Sequence, residues 1–241
     1  MTATRPAFYA ARPGGWRDWW TILHPPYTAW HLSYVVIGAT LAPSTDGFRL
    51  AATVLAFFLA VGIAAHALDE VHGRPLHTHV SGPVLVGVAA VALAGALALG
   101  VAGVSRTGAG LLVFIAVGPL LVLGYNLELL GGVVHTDLGF AAAWGAFPVL
   151  TSYYVQAERI DLTALAAAAA ATTFSLAQRA LSTRARLVRR RAARVEGTIV
   201  MRDGTTMPID EATMLEPIEH ALGWMSVAIV AIAVALLVAR V

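Results

Sequence analysis

Long apolar stretches alternate with short polar breaks along this chain. Runs such as LAATVLAFFLAVGIAA and VSGPVLVGVAAVALAGALALGVAGV are interrupted by the turn-like segments APSTDG, SRTGAG and QAERID. A membrane-spanning helix needs about 20 mostly apolar residues. Seven segments approach that requirement: roughly Tyr27–Ala42, Leu50–Leu68, Pro83–Val104, Ala109–Leu127, Leu138–Gln156, Leu162–Leu181 and Ala221–Val241. Between the sixth and the seventh, EGTIVMRDGTTMPIDEA alternates apolar and polar residues around Asp203-Gly204 and predicts a small β-hairpin. DEATMLEPIEHAL then runs amphipathically into the last segment.

The expected fold class is all-α: a polytopic membrane helix bundle of about seven spans, with a small cytoplasmic β-hairpin before the last one. The chain divides into an N-terminal segment (1–26), a six-span domain (27–181), a basic linker carrying the hairpin (182–220) and a C-terminal span (221–241).

Composition supports the membrane reading. Of 241 residues, 58% are hydrophobic and 12% charged, against about 25% charged in soluble domains. There is no cysteine, which excludes disulfides, thiolate catalysis and zinc ribbons. All sixteen basic residues are arginine, which excludes a Schiff-base lysine and a Walker-type phosphate loop. The net charge of +2 gives no ground for a nucleic-acid partner. The opening MTATRPAFYAARPGGWRDWW lacks an apolar core with a small-residue cleavage site, so it does not read as a signal peptide.

Arginine placement sets the expected orientation. With the N-terminus inside, twelve arginines fall on the cytoplasmic side and four, Arg49, Arg106, Arg159 and Arg240, outside. This places the chain in the cell membrane as a multi-pass protein, N-terminus cytoplasmic and C-terminus outside. The run RARLVRRRAAR reads as a positive-inside anchor against anionic lipid. Trp16, Trp19, Trp20 and Tyr27 read as an interfacial aromatic belt.

That topology gathers the unusual residues on one lip. HALDEVHGRPLHTH packs four histidines, an aspartate, a glutamate and an arginine into fourteen residues. His66 and Glu70 are four apart, with Asp69 beside them, so the three share a helix face. Carboxylates beside an imidazole can hold a divalent cation. GYNLELLGGVVHTD brings Tyr125, Asn126, Glu128, His135 and Asp137 to the same side, where His31 also lies. Ionisable groups at membrane depth are costly and mark functional sites. His66, Asp69, Glu70, Glu128, His135 and Asp137 are therefore the expected metal ligands. His72, His77 and His79 read as loop residues.

An acidic inner-end motif, a short loop, Arg74-Pro75-Leu76 and a following span resemble the UbiA superfamily of membrane prenyltransferases. That family carries Asn-Asp-x-x-Asp-x-x-x-Asp at this place, soon followed by Arg-Pro-Leu. GYNLELLGGVVHTDLGFAAAWGAFPVLTSYYVQ and LHPPYTAWHLSYVVIGATLAP are similar to its menaquinone-type branch, and the likeness runs from about Leu23 to Gln156. The resemblance implies an enzyme that binds a prenyl diphosphate through Mg²⁺ and attaches the prenyl group to an aromatic or other acceptor. It implies Asp69, Glu70, Arg74, Tyr125 and Asn126 as catalytic, and His31, Arg74 and Tyr125 as substrate-binding, with a membrane lipid or isoprenoid as substrate.

Three departures qualify what the resemblance implies. His66 stands where the family has asparagine, the last aspartate of the motif is absent, and SLAQRALSTRARLVRRR replaces a second acidic motif. Imidazole favours zinc, iron or another transition metal, manganese being a further possibility, over magnesium. Two alternatives stay open: a His/carboxylate metalloenzyme acting on a lipid or quinone, and a non-catalytic membrane scaffold that docks a protein partner on its hairpin.

Overall fold

The structure, a computed structural model, describes residues 5–240. It is mostly helical. A short helix α1 (Trp16–Ile22) precedes α2 (Pro25–Leu41), α3 (Gly47–Val71), α4 (Gly82–Thr107) and α5 (Leu111–Asn126). A single turn α6 (Leu129–Gly132) leads into α7, continuous over 137–157, then α8 (Leu162–Arg191). Strands β1 (Gly197–Val200) and β2 (Thr206–Ile209) pair antiparallel, with Gly197 opposite Ile209 and Val200 opposite Thr206. This is the expected hairpin, and Gly204 adopts the positive φ that its turn requires. Helix α9 (Glu211–Val238) follows. Asp210 opens it, accepting the Thr213 N–H at 2.8 Å while the Thr213 hydroxyl closes the capping box.

Among the described residues, three helices are long and apolar enough to cross a membrane: α3, α4 and α9. Helix α5 is apolar but shorter. Large side chains such as Val91, Leu120, Val227 and Val234 stay exposed on these helices. Such uncovered apolar surface suits lipid rather than water.

The helices alternate in direction, and contacts at one end of the bundle make this explicit. At the start of α3, Arg49 donates to the Val155 carbonyl and to Glu158 near the end of α7, and to the Arg106 carbonyl near the end of α4. Gln156 exchanges hydrogen bonds with the backbone of Asp46. Tyr153 donates to Asp161, the N-cap of α8. Arg240, beyond α9, donates to the carbonyls of Thr40 and Ala42 at the end of α2. The opposite ends of the same helices therefore meet at the other pole.

Close packing holds the centre. A Cβ on Gly38 of α2 would collide with Ser152 Oγ and the Val149 carbonyl of α7, and one on Gly145 of α7 would collide with the Ala171 carbonyl of α8. Small residues are what let helices approach this closely in lipid. Two stretches depart from α geometry: Phe58–Ala65 within α3 and Ala142–Ala146 within α7 are π-helical. Wider turns of this kind are frequent at functional sites.

Candidate functional site: a polar cavity backed by an apolar groove

A cavity of about 490 Å³ opens at the pole opposite Arg49. Tyr27 and His31 of α2, His66 and Asp69 of α3, Tyr125 and Asn126 of α5, and Phe140 and Trp144 of α7 build its inner walls. Glu128 and His135 line it from the segment between α5 and α7. One face of α8 forms the far wall, and residues 6–9 of the N-terminal segment cover part of it. Tyr27, expected in an aromatic belt, is a wall residue, whereas Trp16 and Trp20 are exposed.

Three histidines are held the same way. His31 Nδ1 lies 3.0 Å from the Trp144 carbonyl, His66 Nδ1 3.2 Å from the Gly62 carbonyl, and His135 Nδ1 3.1 Å from the Tyr125 carbonyl. A carbonyl only accepts, so each Nδ1 carries a proton, and in the neutral imidazole Nε2 is then the nitrogen with the lone pair. Gly62 and Trp144 sit in the two π-helical stretches, so a histidine pairs with a carbonyl in each. His24 stacks on His66 with ring centroids 4.4 Å apart, and Tyr125 stacks on His135 at the same distance. Burial, reinforced by the neighbouring His66, pushes the His24 pKa well below its ordinary value and keeps the ring neutral. His24 Nε2 and Tyr125 Oη are buried without a hydrogen-bond partner. Buried polar atoms rarely go unpaired, and both belong to residues of this cavity.

The structure brings His31, His66, Asp69, Tyr125, Asn126, Glu128 and His135 to one cavity. It does not bring Glu70, Arg74 or Asp137 to its lining. Glu70 is fully buried and turned toward the loop after α3. Its carboxylate accepts the Leu76 N–H at 2.9 Å, the Thr78 N–H at 2.9 Å and the Thr78 hydroxyl at 2.8 Å. Arg74 donates to the carbonyls of Thr78 and Val80. Together these two residues fold the loop after α3, in which Gly73, Arg74 and His77 all have positive φ. Asp137 is mostly exposed and pairs with Arg179 at 3.0 Å. Asn126 donates to the Val122 carbonyl of its own helix.

The arginine run does more than face lipid. Gln178, Arg179, Ser182, Arg186 and Arg190 recur at helical spacing, and all line the cavity. Arg179 also lies over the Phe140 ring at 5.1 Å. Arg189 makes a two-pronged pair with Glu219 of α9 at 2.5 and 2.7 Å. The signal was present in the sequence as polar residues repeating on one face of an alanine-rich helix.

A magnesium site of the aspartate-rich kind does not fit these walls. Among the described residues no three of His, Asp and Glu form a group that could hold a metal ion. Of the HALDE carboxylates only Asp69 reaches the cavity, since Glu70 is consumed by its loop. Glu128 lies 3.9 Å from His72 and 3.8 Å from His135.

Behind the polar cavity runs an apolar groove between α3, α4, α5 and α7, lined by residues such as Phe57, Leu93, Leu97, Phe114, Ile115 and Phe147. Val61 and Trp144 line both spaces, so the groove begins where the cavity ends. From Val61 the groove follows α3 to Phe48, roughly 20 Å along a helix at 1.5 Å per residue. No family model, no curated protein and no solved structure matches this chain.

Proposed function

We propose that this chain is a seven-span membrane enzyme of UbiA-like type that processes an isoprenoid, transferring a prenyl group at the cytoplasmic face of the cell membrane. The N-terminus and the polar cavity lie inside, and the C-terminus lies outside. One observation carries this reading: a charged polar cavity and an apolar groove abut at Val61 and Trp144. A molecule with an anionic head and a hydrocarbon tail suits that pair of spaces. The alternating helix directions and the arginine asymmetry support the orientation.

The chemistry follows from the walls. The allylic carbon–oxygen bond breaks, and diphosphate leaves with the bonding pair. Tyr125, Phe140 and Trp144 present aromatic faces that stabilise the allylic cation, and the groove keeps its tail from water. The acceptor then bonds to the cationic carbon and releases a proton. His31 and His66, each donating from Nδ1 to a carbonyl, present Nε2 as the atom to take it.

The test is a prenyl diphosphate carrying a photoreactive tail, incubated with the protein in nanodiscs beside a panel of aromatic acceptors. Transfer with release of one diphosphate per product, and crosslinks on Phe57, Val61 or Trp144, are expected. Crosslinks confined to the lipid-facing side of α9, with no transfer, would overturn the reading.

A further inference from the structure

We infer that the ligand's phosphate or diphosphate is held directly by an arginine cradle on α8, Arg179, Arg186 and Arg190, without a divalent cation. This rests on the isoprenoid reading for the tail and adds the chemistry of the head.

Five observations carry it. The three arginines are seven and four residues apart, so they share one helix face, and all three line the cavity. Among the described residues, Arg186 and Arg190 have no carboxylate within salt-bridge distance: Arg186 reaches only the Thr183 hydroxyl, and Arg190 only the Pro6 carbonyl. Most of their N–H groups therefore remain available, in the planar geometry that grips phosphate oxygens. Burial and the flanking Arg179 and Arg190 pull the Arg186 pKa below its usual value, which shows positive charge crowded against positive charge. On the facing walls His24 Nε2 and Tyr125 Oη, each on a side chain more than nine-tenths buried, lack partners. Asp69 and Glu128 are the carboxylates on the other walls, and with Glu70 turned away no three of His, Asp and Glu among the described residues form a metal site.

The experiment measures binding to the full-length protein in detergent, stripped with EDTA. The probes are farnesyl thiolodiphosphate, which does not ionise readily, inorganic pyrophosphate and farnesol. The thiolodiphosphate is expected to bind in EDTA, with added magnesium changing its affinity less than about twofold. Arg186→Gln and Arg190→Gln are expected to weaken it at least about tenfold, with Arg186→Lys intermediate. Arg184→Gln, on the exposed face, controls for general charge loss. The wild-type chelator arm needs no variant to fold. Binding only with magnesium would overturn the cradle and leave the isoprenoid reading standing. Farnesol binding as tightly as the thiolodiphosphate would do the same. Pyrophosphate binding as tightly as the thiolodiphosphate would leave the cradle standing and overturn the isoprenoid reading.

Discussion

His31 donates from Nδ1 to the carbonyl of Trp144 across 3.0 Å, tying α2 to the π-helical stretch of α7. The bond fixes the imidazole tautomer and the indole that separates cavity from groove at the same time. Replacing His31 by Leu removes this buried hydrogen bond, at a cost of about 0.5–1.5 kcal/mol. A lower unfolding temperature in detergent is expected, with Gln, which retains a donor, recovering part of the loss.

Asp69 and the arginine cradle make opposite claims on an anion. If the head group is bound by guanidinium alone, the Asp69 carboxylate repels it. Asp69→Asn is then expected to tighten binding of farnesyl thiolodiphosphate, by up to about tenfold, or 1.4 kcal/mol. A metal-held diphosphate would respond in the opposite direction. Titration calorimetry in EDTA decides the sign.

Glu70 is a loop residue in this structure. Glu70→Ala strips the acceptor from two backbone N–H groups and one hydroxyl. A loss of about 2–5 kcal/mol is expected from unpaired buried donors. The loop over 72–80 should then be cut by protease under conditions where the wild type resists.

Trp144→Ala is expected to join the two spaces and to relax discrimination between short and long tails. The ratio of affinities for geranyl and geranylgeranyl diphosphate analogues should fall toward one. An unchanged ratio would remove Trp144 from that role.

The neutral His24 gives stability a pH dependence. Its folded pKa lies well below the ordinary 6.5. The unfolded chain therefore binds a proton that the folded chain refuses as pH falls below about 6.5, and stability is lost in that direction. The loss approaches about 1.4 kcal/mol per pH unit for one such group. Melting curves between pH 7 and pH 5 should show it, and His24→Gln should flatten the slope.

Much of the architecture was legible in the sequence. Helices stand at all seven apolar segments, and the hairpin turns at Asp203-Gly204. The length of the apolar runs and the turn-like breaks between them located the helices, and alternation located the hairpin. The cavity was legible as a cluster of histidines and carboxylates at one pole, and Asp69, His66 and His135 do meet there. What could not be read was rotation about the helix axis. Asp69 and Glu70 are neighbours in sequence but about 100° apart on a helix, and the π-helical stretch before them shifts the count again. The arginine run read as a lipid anchor because a one-dimensional run of charge does not say which members face inward. Gln178, Ser182 and Arg186 do, and their four-residue step is visible once a cavity is known to face them.

The π-helical stretch at Phe58–Ala65 holds slack in the chain. A π-helical turn spends about one residue more than an α-helical one, so the loss of one residue within 58–65 is absorbed by a return to α geometry, and His66, Asp69 and Glu70 keep their directions. The same loss just after Ala65, where the helix is α-helical, has no slack to draw on: it turns Glu70 by about 100° to where Asp69 now points.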